Sequence, residues 1–106
     1  MMFYDTIAAI ATAPGESGIS IIRISGKDAL HILKEIFVPK KELKDFPSRK
    51  LIYGHIYDRD SDKILDEVLA VYMKEPYTYT REDVVEINCH GGVMPVRKVL
   101  ELILRK

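Results

Sequence analysis

The chain holds one cysteine, Cys89, and no tryptophan in 106 residues. A single thiol excludes an internal disulfide, and the simplest setting for such a chain is cytosolic. Charge of either sign is not in excess: sixteen Lys and Arg balance sixteen Asp and Glu. That balance removes the strong uniform field of a dedicated nucleic-acid binder and leaves only local patches. No apolar run approaches the roughly 20 residues that cross a bilayer, so no membrane span is expected. The opening "MMFYDTIAAIATAPGE" has no basic stretch ahead of its apolar residues, which argues against a secretory signal. Internal repeats and low-complexity tracts are also lacking.

What is present is ordinary for a soluble domain: 47% hydrophobic and 30% charged residues. A chain of this length fits one domain that buries roughly 60 to 70% of its unfolded surface. Residues 5–12, "DTIAAIAT", and 19–25, "ISIIRIS", read as strands on either side of a Pro- and Gly-bearing loop. Ser25 precedes Asp28 by three residues in a weak capping-box pattern, and Leu30, Leu33, Ile36 and Phe37 follow at helical spacing. This predicts a helix from about Gly26 to Phe37, stopped by Pro39. The segment 39–50, "PKKELKDFPSRK", reads as an exposed connection without regular structure. Strands are predicted at 51–58, 66–74 and 82–90, the first two as a hairpin across "DRDSD". Val93, Val96, Leu100 and Ile103 give a closing helix that runs to the end of the chain and tolerates Pro95 in its first turn. The order is ββαβββα. Consecutive strands without crossover helices predict an α+β fold, an antiparallel or mixed sheet with two helices on one face.

The chemistry-bearing residues gather in "VVEINCHGG" at 84–92. Side chains alternate along a strand, so Val84, Glu86, Asn88 and His90 project one way and Val85, Ile87 and Cys89 the other. Cys89 and its neighbour His90 therefore diverge, whereas a nucleophile and its base need hydrogen-bond contact. Cys89 reads as a buried thiol beneath a helix. Zinc requires about four ligands, and His31 and His55 have no companions at ligand spacing, so no metal site is expected. Glu86, Asn88 and His90 form a polar ridge that is either a solvated sheet face or the wall of a pocket, with Gly91 and Gly92 leaving the strand end open to a ligand. Arg23, set among isoleucines, reads as a structural ion pair on its own. If its strand neighbours that of Glu86, the two present a fork donor beside a fork acceptor, suited to a planar heterocycle carrying both functions.

Two long segments in this order, "DTIAAIATAPGESGISIIRISG" at 5–26 and "YTYTREDVVEINCHGG" at 77–92, resemble the amino-terminal domain of the MnmE (TrmE) family of tRNA modification GTPases. The likeness covers nearly the whole chain, 1–106, with "TYTRED" where the family usually reads "SYTGED" and Glu16 in a loop that is often basic. It implies a tetrahydrofolate-binding and dimerisation domain, similar to the folate-binding half of the glycine-cleavage aminomethyltransferase. The implied cofactor is 5-formyltetrahydrofolate or 5,10-methylenetetrahydrofolate, held through Arg23 and Glu86, with Asn88, His90, Gly91 and Gly92 as further candidates. The chain has no GxxxxGK[ST] motif, so GTP, Mg2+ and K+ belong to the absent G domain. The family further implies a homodimer, a flavoprotein partner of the MnmG (GidA) type, tRNA as substrate and a cytoplasmic location. No residue reads as a catalytic acid, base or nucleophile. Two rival readings are an RNA-binding module using Lys40, Lys41, Lys44, Arg49 and Lys50, and a dimerisation scaffold that binds no folate.

Overall fold

Strands form where β-branched and apolar residues alternate, and helices where apolar residues recur every three to four positions. In the computed structural model these patterns yield β1 (Ile7–Ile10), β2 (Ser20–Ser25), α1 (Ala29–Ile36), β3 (Phe37–Pro39), β4 (Ile52–Asp58), β5 (Lys63–Met73), β6 (Val84–Cys89) and α2 (Val93–Leu104). Residues 6–11, 19–74, 82–90 and 93–106 are described, with residues 93 and 94 by backbone alone. The strands make one sheet in the order β1-β2-β6-β5-β4-β3. Every neighbouring pair is antiparallel, so the mixed alternative falls away.

Both helices pack on one face. Ile22, Ile24, Val68, Ala70, Val85, Ile87 and Cys89 point into it and are buried beneath Ala29, Leu33 and Ile36 of α1 and Val96, Val99, Leu102 and Ile103 of α2. Burying each large aliphatic side chain contributes about 1.5 to 3 kcal/mol. This face is the source of the domain's stability.

Four sequence expectations change. The first helix starts at Ala29, three residues later than expected. Asp28 is its N-cap but makes no side-chain capping bond; its own N–H donates to Thr6 Oγ1 at 3.0 Å, tying the helix entry to the β1 segment. Gly26 fills the corner before it at φ 141°, where a Cβ would lie 2.5 Å from Thr6. Second, α1 passes directly into a strand, β3, that was not expected. Pro39 sits there on the sheet edge, where the missing N–H costs no ladder bond. Third, the 40–51 connection is anchored: Phe46 stacks obliquely on Phe37 and edge-on to Tyr72, and Arg49 N–H donates to Tyr72 O at 2.7 Å. Fourth, α2 stops at Leu104, short of Lys106.

At the β4–β5 hairpin the buried Asp58 accepts from Asp60 N–H, Ser61 Oγ and Arg105 Nη2. Burial raises its pKa, but these donors and the arginine charge outweigh that and hold the carboxyl below its ordinary range. The folded value lies below the unfolded one, so Asp58 stabilises the fold above the ordinary aspartate range. That contribution is lost as pH falls through the lowered value. Thermal melts of Asp58→Asn between pH 7 and pH 3 are expected to show a lower midpoint at neutral pH and a smaller drop on acidification than the parent chain.

Candidate functional site

The sheet face turned away from the helices carries the polar groups of β2, β6, β5 and β4. Arg23 and Glu86 stand directly opposite each other in the β2–β6 register. Arg23 Nε donates to Glu86 Oε2 at 2.8 Å and Nη2 donates to the same oxygen at 2.5 Å. Two bonds to one oxygen leave Glu86 Oε1 without a partner among the described residues. The side chains are 45% and 20% exposed respectively, so the pair is reachable from outside. Arg23 flanks Ala9 on its other side and Glu86 flanks Val71, giving the pair small, apolar neighbours.

One step along the strands, Ile21, Asn88, Leu69 and Tyr53 form the next row. Asn88 Nδ2 donates to Leu69 O at 3.0 Å, which fixes the amide and leaves Oδ1 as the group it can offer a ligand. His90, exposed at the strand end, is held by its N–H to Asp66 Oδ2 at 3.0 Å, with Nδ1 3.3 Å from Glu67 O. Gly91 and Gly92 lie outside the described residues, as do Glu16 and Arg81. Val84 shares the face but is 2% exposed, so it is not part of an open apolar patch.

A second polar group on this face was missed from sequence. Tyr53 Oη donates to Glu67 Oε2 at 2.8 Å, His55 Nε2 lies 3.6 Å from Glu67 Oε1, and Lys40 Nζ sits 5.5 Å from the centre of the Tyr53 ring. The Tyr53 hydrogen bond holds the Glu67 carboxyl below its usual range, with the His55 and Lys40 charges assisting, and in return raises the Tyr53 phenol. The signal was available in the alternation of β4 and β5. Their register was not, because a bulge shifts the pairing between Ile56 and Tyr57.

Cys89 lies on the opposite, helix-covered face and is 1% exposed. Burial pushes its thiol up to about 12, with the Asp66 charge adding to the effect. A thiol of that kind is unreactive. Labelling by a thiol reagent at pH 8 is expected only at the rate of unfolding, and fast labelling of the folded domain would show the orientation wrong. Among the described residues no group of three His, Cys, Asp or Glu side chains could hold a metal ion, and no helix is long and apolar enough to cross a membrane.

Residues 6–106 match the family model described as the N-terminus of the GTP-binding protein TrmE. The chain belongs to this family. It is similar to the tRNA modification GTPase MnmE of Alkaliphilus metalliredigens, at 61% identity over 108 residues that take in 100% of this chain and 23% of that protein. The corresponding MnmE of Clostridioides difficile is 57% identical, with 100% of this chain and 23% of that protein covered. For MnmE of Thermoanaerobacter pseudethanolicus the identity is 55%, with 99% and 23% covered. The chain thus spans about a quarter of the length of these curated TrmE-family relatives.

Proposed function

We propose that this TrmE N-terminal domain binds a one-carbon tetrahydrofolate, 5-formyl- or 5,10-methylenetetrahydrofolate, on the sheet face that carries Arg23 and Glu86. The observation that carries the reading is the cross-strand pair itself: a carboxylate whose side chain is 20% exposed, with Oε2 engaged by Arg23 and Oε1 given no partner among the described residues. A pterin offers an amino group and a ring N–H side by side. Glu86 Oε1 accepts one of them, and Oε2 accepts the other as Arg23 yields part of its hold. Charge-assisted bonds of this type contribute about 1.5 to 3 kcal/mol each. Asn88 Oδ1 adds a neutral acceptor in the next row, with His90 at the strand end; Gly91 and Gly92, which follow it in sequence, remain candidates from the family resemblance. The folate brings the one-carbon unit; the domain binds and orients it, and none of its residues is assigned a catalytic role.

In the longer protein the domain would serve a homodimeric, cytoplasmic GTPase that modifies tRNA, supported by the relatives named tRNA modification GTPase. The folate carbon would go to an aminomethyl-type group at carbon 5 of the wobble uridine, in concert with an MnmG-type flavoprotein, and GTP, Mg2+ and K+ would act in the G domain. Calorimetric titration with 5-formyltetrahydrofolate tests the folate reading: saturable one-to-one binding supports it, and no heat at millimolar ligand overturns it. The RNA-binding alternative is disfavoured by Glu42 and Asp45, which interrupt the lysines of the 40–50 segment.

A further inference from the structure

The row Asn88–Leu69–Tyr53 leads from the Glu86 position across β5 to β4, and it ends at a groove rather than at open solvent. That groove, of about 230 Å3, is lined by Lys40, Lys41, Leu43, Leu51, Ile52 and Tyr53. Its surface is largely apolar, with Leu51 60% exposed, and Lys40 and Lys41 are the charged residues among its lining. Lys40 is set in place by its backbone N–H, which donates to Tyr53 O at 3.0 Å, while its side chain reaches over the Tyr53 ring. Glu67, whose carboxylate feels the Lys40 charge, is already engaged by Tyr53 and flanked by His55, so it only partly answers the lysine charge.

We propose that this groove is a subsite for the anionic glutamyl tail of the folate, with Lys40 and Lys41 pairing its carboxylates and Tyr53 and Leu51 supporting the aryl bridge. The inference rests on the folate reading above and deepens it: the preferred ligand carries several glutamates. Two strand spacings sideways and two residues along separate Glu86 from Tyr53, about 12 Å from sheet geometry, and Lys40 Nζ stands over the Tyr53 ring at 5.5 Å from its centre. The span from a pterin's amino edge to its first glutamate is on the order of 15 Å from ordinary bond lengths. The two lengths agree within the reach of a lysine side chain. Cations on flexible stems suit a tail of variable length, because each further carboxylate meets a charge without a fixed geometry.

Three ligands separate this inference from the one beneath it: 5-formyltetrahydrofolate with one glutamate, the same with five, and a tetrahydropterin lacking the aminobenzoyl-glutamate. The parent chain is expected to bind the pentaglutamate roughly fivefold more tightly than the monoglutamate, because four further carboxylates strengthen the partly screened attraction to the same two lysines. The advantage should shrink as salt is raised. In Lys40→Gln/Lys41→Gln the two folates should bind alike, with affinity for the bare tetrahydropterin unchanged. Both positions are exposed, so circular dichroism is expected to match the parent. If the parent binds folate but tail length and the lysine substitutions make no difference, the subsite is overturned and the folate reading stands. Binding of neither folate nor tetrahydropterin removes both.

Discussion

Glu86→Gln is expected to weaken 5-formyltetrahydrofolate binding at least about tenfold in calorimetric titration, with little change in thermal midpoint. The substitution keeps the shape of the side chain but removes the charge that makes it a strong acceptor for two adjacent N–H donors. It also replaces one acceptor oxygen by an amide that repels those donors. Stability should hold because the Arg23–Glu86 bridge is partly exposed, and exposed ion pairs are worth about 0 to 1 kcal/mol. Unchanged affinity would sink the assignment of Glu86. A large fall in midpoint would instead make the pair chiefly structural.

The adjacent residue gives the opposite result. Ile87 is fully buried on the helix-covered face, in register with Ile22 on β2 and Ala70 on β5. Ile87→Ala is expected to cost about 2 to 5 kcal/mol, because the loss of burial is joined by a cavity that the two flanking strands cannot close. For a domain of this size that lowers the midpoint on the order of 10 °C or more. Below the new transition, affinity for folate should stay near that of the parent chain. A shift of only a few degrees would mean that helices and sheet repack around the gap. Successive residues of one strand are thus expected to separate binding from stability.

The split of this strand between an open and a helix-covered face was readable from "VVEINCH" alone, since strict alternation decides which side chains share a face. The helices were also legible, through Leu33 and Ile36 in one and Val96 and Ile103 in the other. What was not legible depends on contacts between distant segments. Nothing local says that Arg23 stands opposite Glu86, 63 positions away; that follows from β6 lying between β2 and β5. The three residues of β3 are too few to show a period, and its place is secured by the Phe37 ring against Gly54, where a Cβ would lie 2.6 Å from that ring. Phe46 reads as part of a charged connection until Phe37 and Tyr72 are seen to flank it. Lys40, Tyr53 and Glu67 come together only through hairpin register and the bulge within it.

The strand order has a kinetic consequence. β1 and β2 form a hairpin, and β3, β4 and β5 a meander, each from residues near in sequence, yet both present a bare inner edge until β6 arrives. During synthesis those edges wait for residues 84–89, and an unpaired edge is a template for pairing with other chains. Joining the halves closes a loop of about 60 residues, a slow step that local hairpins precede. The pairing of β2 with the Glu86 strand is therefore the late step, and Arg23 is brought opposite Glu86 by the same event that seals the sheet.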